Sequence, residues 1–207
     1  FQEYVEAVAA QAVASDAADM DAFMAEAWNA DSSKTVKDAL VEKIAVIGEN
    51  LNIRRFQKET QENGCIVSYI HGGGRIGVLV KAETAVVNDA VKEALTNVAM
   101  QVAALAPKYV SSEDVSEEYK EHEKAILLAQ AKNENPDKPE NIIEKMIIGR
   151  LNKELKEVCL MEQAYVKAED GKQTVAKYLQ QVSKEVGADI KITGFVRFET
   201  GEGLEKK

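Results

Sequence analysis

Cysteine, proline, histidine and tryptophan are all scarce in this 207-residue chain, at two, three, two and one residues. Cys65 and Cys159 lie far apart in no CxxC pair, which argues against a disulfide scaffold or a thiolate zinc site and for a reducing compartment. With so few histidines and no thiol cluster, no metal site is expected. Long apolar runs are missing too: none approaches the roughly 20 residues of a membrane span. No signal-peptide pattern opens the chain, so a cytoplasmic protein with no membrane partner is expected. Basic residues are the minority, 26 against 35 acidic for a net charge of -9, which disfavours direct nucleic-acid binding.

What is present is a folding composition, 45% hydrophobic and 29% charged, with hydrophobic periodicity that changes along the chain. Helical spacing of Phe1, Val5, Val8, Ala12, Met20, Phe23 and Met24 predicts two helices, with Asp16 and Asp21 as candidate breaks. Ser33 offers a cap before a short helix carrying Val36, Leu40, Ile44 and Ile47, and Gly48 stands where a C-terminal glycine belongs. The period then shortens. Residues 52–59, the Asn63-Gly64 pair, 65–70 and 75–81 predict a three-stranded meander, with Asn-Gly and the Gly72–Gly74 run as its turns.

A long amphipathic helix follows, with Val87, Val91, Leu95, Val98, Val102 and Leu105 on one face and Pro107 as its stop. Two further helical segments, about 114–132 and 139–158, read as an antiparallel hairpin. Its coiled-coil seam is expected through Tyr119, Ile126 and Ala129 facing Ile142, Met146, Leu151, Leu155 and Val158. The charged residues around the seam favour a protruding arm. Val175, Tyr178, Leu179, Val182 and Val186 mark a last helix. Ile190, Ile192, Val196 and Phe198 mark a final strand, expected beside the meander. The whole is an α+β fold with the helical hairpin inserted between sheet-forming segments.

Motifs of chemistry fail on context. Gly72-Gly73-Gly74-Arg75-Ile76-Gly77 matches GxGxxG, but a strand follows it where a phosphate-binding loop must open a helix. His71-Gly72-Gly73-Gly74 mimics an esterase oxyanion loop, yet no GxSxG elbow accompanies it. Cys65 and His71 stand six residues apart on one strand, about 20 Å and beyond hydrogen-bond reach. No P-loop occurs, and His122 lies on a charged helix. No catalytic residue, cofactor site or metal site is nominated, and a non-enzymatic protein is expected.

Several segments in series resemble bacterial elongation factor Ts. They are residues 43–55 (KIAVIGENLNIRR), 68–72 (SYIHG) with 75–80 (RIGVLV), 106–110 (APKYV), 138–140 (KPE), 149–153 (GRLNK), 158–163 (VCLMEQ) and 194–203 (GFVRFETGEG). The resemblance implies a core of two α+β subdomains with small antiparallel sheets packed on helices, one over 1–64 and one over 65–110 plus 159–203. A coiled-coil insertion over 111–158 and a tail over 204–207 complete it. It also implies a guanine-nucleotide exchange factor that binds nucleotide-free elongation factor Tu and promotes GDP release without bond chemistry. Ile47, Gly48 and His71 match family positions that touch the partner, whereas Asn52, Arg54 and Arg55 are expected to brace the subdomain.

The same comparison implies departures. The family's amino-terminal helical domain, its Thr-Asp-Phe-Val segment and its carboxy-terminal helix have no counterpart in these 207 residues, as expected of a piece cut at both ends and impaired in exchange. The competing reading is an adaptor or homodimerisation module that works through the coiled coil.

Overall fold

A computed structural model describes residues 1–204; residues 205–207 of the expected tail lie outside the described residues. The chain divides into two compact units, Phe1–Glu59 and one that begins at Thr60.

The first unit opens with α1 (Gln2–Ala14) and α2 (Met20–Ala25). The break between them covers residues 15–19, taking in the expected Asp16 but not Asp21, and it ends at Asp19, whose carboxylate accepts the Ala22 N–H at 2.8 Å and caps α2. A short antiparallel ribbon follows, β1 (Ala27–Trp28) against β2 (Asp31–Thr35), and leads into α3 (Val36–Ile47). The cap of α3 is Thr35 rather than Ser33. Ser33 lies within β2, where its hydroxyl donates to Asp31 at 2.6 Å. Thr35 Oγ1 accepts from Asp38 N at 3.1 Å while the Asp38 carboxylate accepts from Thr35 N at 2.9 Å, a reciprocal capping box.

Tyr4, Phe23, Trp28, Val36 and Leu40 form the core of this unit. Buried Gln11 stitches α1 to the ribbon: its amide donates to Ala27 O at 2.9 Å and its Oε1 accepts from Asn29 N at 2.8 Å. Residues 52–59, expected as a strand, form no ladder among the described residues. Their burial does not alternate in twos either, since the half-buried residues Ile53, Phe56 and Glu59 stand three apart. Leu51, Ile53 and Phe56 pack on the core, Phe56 at 4.8 Å from the Phe23 ring, while Asn52, Arg54 and Arg55 are exposed. A strand requires both burial at every second residue and a backbone neighbour, and this segment has neither.

The second unit is built on β3 (Gly64–His71) and β4 (Ile76–Glu83), followed by α4 (Asp89–Leu105). Further along come the helical arm α5 (Glu117–Glu134) and α6 (Glu140–Val158), then α7 (Val175–Val186) and β5 (Lys191–Glu199). The sheet runs β3-β4-β5, antiparallel throughout, so the final strand lies beside the hairpin as expected. The Asn63-Gly64 turn does not form. Gly64 instead starts β3 opposite Glu83, and a Cβ placed on it would meet the Ala82 carbonyl oxygen at 1.9 Å.

Val78, Val80 and Ala82 of β4 pack against Val91, Leu95, Val98 and Val102 of α4 and against Val175, Leu179 and Val182 of α7. The outermost members of the expected α4 stripe, Val87 and Leu105, are exposed. Register between β4 and β5 jumps from Lys81↔Gly194 to Ala82↔Ile192, leaving Thr193 as the extra residue of a bulge. The bulge inverts the facing of everything after it. Phe195 and Arg197 pair with buried Val80 and Val78, so Val196 and Phe198 point to the face opposite Ile192 and not to the shared face expected. Arg197 then donates from Nη2 to Ala103 O at 3.4 Å, near the C-terminal end of α4 where a cation is favoured. That helix ends with Ala106 in the left-handed region at φ 44°, because Pro107 disfavours a helical residue before it.

The arm leaves and re-enters the core side by side. Lys108 N donates to Val158 O at 2.8 Å and Leu160 N to Tyr109 O at 2.9 Å, beside a parallel bridge between Tyr109 and Cys159. Ala131, Ile143 and Ile147, with Leu127 and Leu128, form a cluster separate from the core beneath the sheet. Toward the tip of the arm the seam departs from expectation: Ile126, Ala129 and Ile142 are exposed, and Leu127, Leu128 and Ile143 turn inward. Leu151 is buried as expected. Among the described residues, no helix is long and apolar enough to cross a membrane.

Two measurements test this packing. Gly64→Ala forces a methyl group into the β4 backbone and is expected to destabilise the second unit by about 3 kcal/mol in urea denaturation. Gln101 is fully buried, with its amide donating to Gln163 Oε1 at 3.2 Å and Ala164 O at 3.0 Å, and its Oε1 accepting from Val166 N at 2.9 Å. Gln101→Leu strands those partners and is expected to cost about 3 kcal/mol in the same assay, whereas a neutral result would mean that water replaces the amide.

Candidate functional site

Each unit places one part of the expected site, and each part is described on its own. In the second unit, β3 ends at His71, which pairs with Ile76 across the hairpin. Gly72, Gly73 and Gly74 take φ values of 60°, 67° and 98°, a left-handed run that side chains resist, which is why three glycines stand here. The turn is closed by Gly74 N and Arg75 N, which donate to His71 O at 3.3 and 3.1 Å. Its far side is pinned to the end of β5, since Thr200 donates to Arg75 O from its N–H at 2.8 Å and from its hydroxyl at 3.2 Å. His71 is exposed on this fixed turn.

The imidazole has a side-chain partner. Tyr69 and His71 lie two residues apart on one face of β3, and the Tyr69 hydroxyl meets His71 Nδ1 at 2.9 Å with the rings 5.8 Å apart. Tyr69 packs against the core of the unit. Sequence reasoning passed over this tyrosine, although strand periodicity alone sets positions 69 and 71 on a common face.

In the first unit, Ile47 closes α3 and Gly48 caps it in the left-handed region at φ 76°, donating its N–H to Ile44 O at 2.8 Å. Gly48 is exposed and Ile47 half-buried, outside the set that packs on the unit's core. Val46 beside them is 81% exposed, so the end of α3 presents apolar surface to solvent. Gly48 thus has a structural role as a cap whatever else it does.

The groups that could do chemistry are scattered. The GxGxxG run forms the hairpin turn and the start of β4, not a helix entrance. Cys65 and His71 occupy opposite ends of β3. Burial pushes the Cys65 thiol up, and burial reinforced by Glu162 and Asp114 pushes the Cys159 thiol up to about 11, so neither favours a thiolate. His122 is exposed on α5. A 340 Å³ cleft in the first unit is lined by Tyr4, Trp28 and Lys34, but Lys34 is held by Glu42 at 2.7 Å and Asp31 at 3.4 Å. Among the described residues no group of three or more His, Cys, Asp or Glu side chains is placed to hold a metal ion. What the arrangement offers is contact surface: a rigid hairpin end with one oriented imidazole, and a helix end with exposed apolar atoms.

Known proteins are similar to this chain along its whole length. Residues 1–202 match the family described as Elongation factor TS. Elongation factor Ts of Clostridium botulinum is 47% identical over all 207 residues, which cover 66% of that protein, and the Clostridium novyi protein is 48% identical over the same span. The Clostridium perfringens protein is 51% identical over 177 residues, 86% of this chain and 57% of that protein. The chain thus spans slightly less than two thirds of the length of these relatives. A family match over nearly every described residue, together with identity near one half, leaves one assignment: the chain belongs to the elongation factor Ts family.

Proposed function

We propose that this chain binds elongation factor Tu in its nucleotide-free state and thereby promotes GDP release, with Ile47, Gly48 and His71 on the contact surface. The observation that carries this reading is the family match over residues 1–202, within which His71 stands exposed on a backbone-locked hairpin end. Linkage supplies the mechanism. A protein that binds the empty partner more tightly than the GDP-bound partner must lower the partner's affinity for GDP by the same factor. Fixed surfaces suffice for such coupling, and no bond is made or broken. Two subdomains supply the surfaces, with the helical arm as an insertion, and the chain acts in the cytoplasm without a cofactor.

Titrating the chain into elongation factor Tu loaded with fluorescent GDP, alongside a binding isotherm to the nucleotide-free protein, tests the proposal. Saturable binding is expected, with a measurable but impaired acceleration of release. Absence of binding would reject the proposal. His71→Ala is expected to weaken binding about tenfold, or about 1.4 kcal/mol, with the urea midpoint unchanged.

A second reading, in which the arm is the working surface of an adaptor or homodimer, draws on its exposed Ile126, Ile142 and Ile148. Deleting residues 112–157 separates the two. The arm's stems already pair at Tyr109 and Cys159, so a short glycine link should leave the core folded. Retained binding to elongation factor Tu is expected; its loss would favour the arm.

A further inference from the structure

We propose that Tyr69 is a positioning residue for partner contact: its phenol donates to His71 Nδ1 and holds the imidazole as the Nε2–H tautomer, so that Nε2–H is offered to a carbonyl or carboxylate oxygen of the partner. This inference rests on the reading that His71 meets elongation factor Tu, and it names the atom and the direction of the hydrogen bond.

Donor and acceptor strengths set the direction. A neutral imidazole carries one N–H and one bare nitrogen, and a phenol can donate or accept. The phenol O–H is more acidic than an imidazole N–H, and the bare ring nitrogen is more basic than the phenol oxygen. Of the two ways to make the 2.9 Å contact, O–H to Nδ1 is therefore the stronger. Nδ1 is then occupied as an acceptor, the ring proton sits on Nε2, and the free edge of the ring is a donor.

Position is fixed by the same contact. The backbone of His71 is held in the ladder to Ile76, and its carbonyl accepts from Gly74 and Arg75, so only its side-chain torsions remain to be set. Tyr69 sets them from a partly buried site on the core of the unit and does not follow the imidazole. The ordering of an exposed side chain, which binding would otherwise have to impose, is completed on folding.

Tyr69→Phe removes the hydroxyl and keeps the ring. Long-range 1H–15N correlation on the full chain at about pH 8, where an imidazole is neutral, reads the tautomer without any partner. The wild-type chain is expected to show His71 as Nε2–H with a hydrogen-bonded Nδ1, and Tyr69→Phe to shift the Nδ1 resonance toward that of exposed His122. Identical His71 resonances in the two proteins would overturn the proposal. In binding to nucleotide-free elongation factor Tu, Tyr69→Phe is expected to cost about fivefold in the wild-type background and nothing in a His71→Ala background. His71→Gln, which places an amide N–H near the Nε2 position, is expected to keep most of the affinity that His71→Ala loses. An equal loss from Tyr69→Phe in both backgrounds would overturn the link from Tyr69 through His71 to the partner. If His71→Ala binds as the wild type does, the contact reading itself fails, and the resonance result still reports whether Tyr69 holds the ring.

Discussion

Burial of the inward row of β4, Val78, Val80 and Ala82, beneath α4 is the constraint on which the rest of the second unit depends. β4 is the central strand, so its register decides how both neighbours face. A slip of one residue would bring Gly77, Leu79 and Lys81 to the α4 side and expose the buried row, which the hydrophobic effect forbids. With the register fixed, Tyr69 must lie opposite Val78 and His71 opposite Ile76, on the helix-packed face but at its very end. Anchoring of the tyrosine and exposure of the histidine therefore follow from one packing decision. The glycine run completes it, because a turn of three left-handed residues brings the chain straight back into β4.

The same packing separates what could be read from residues alone from what could not. Helices with caps and single apolar faces were legible: Gly48 ends α3, Pro107 ends α4, and the alternation in 75–81 is β4. Legibility failed where a local pattern needed a distant partner. Residues 52–59 lay Ile53 and Phe56 on the core, three apart where a strand would bury every second residue, and they join no ladder among the described residues. Asn63-Gly64 carries a strong hairpin signal, but the glycine answers a close approach of the Ala82 carbonyl, which no neighbouring residue reveals. In β5 the reading broke at Thr193, since a bulge inverts facing without altering composition. In the arm, runs such as Ile126-Leu127-Leu128 and Ile142-Ile143 offer two adjacent seams, and only the contact between α5 and α6 selects one.

For the site, the residue types were legible and the geometry was not. His71 stood out through the family resemblance, and a strand exit predicts its exposure. Its partner did not, because a tyrosine two residues earlier reads as packing until its hydroxyl is seen against Nδ1. The chemical motifs failed for a physical reason that the fold makes explicit. GxGxxG acts through a helix N-terminus, and here its glycines form the turn between β3 and β4, from which a strand and not a helix opens.

On the proposed function, the absence of a reactive constellation among the described residues and the stiffness of the hairpin end belong together. An exchange factor shifts an equilibrium only by the difference between its affinities for two states of its partner. A surface that adapts equally to both states gives up that difference, however tightly it binds. Stiffness at the contact preserves it. The backbone of the hairpin end is held by the ladder to Ile76, by the closed glycine turn and by Thr200, and its side chain by Tyr69. A partner that moves its acceptor away on binding GDP would weaken the proposed hydrogen bond, since an imidazole that followed it would give up its 2.9 Å contact with Tyr69. Discrimination between partner states then arises from what the surface cannot do, and this requires a well-packed support more than it requires many contacts.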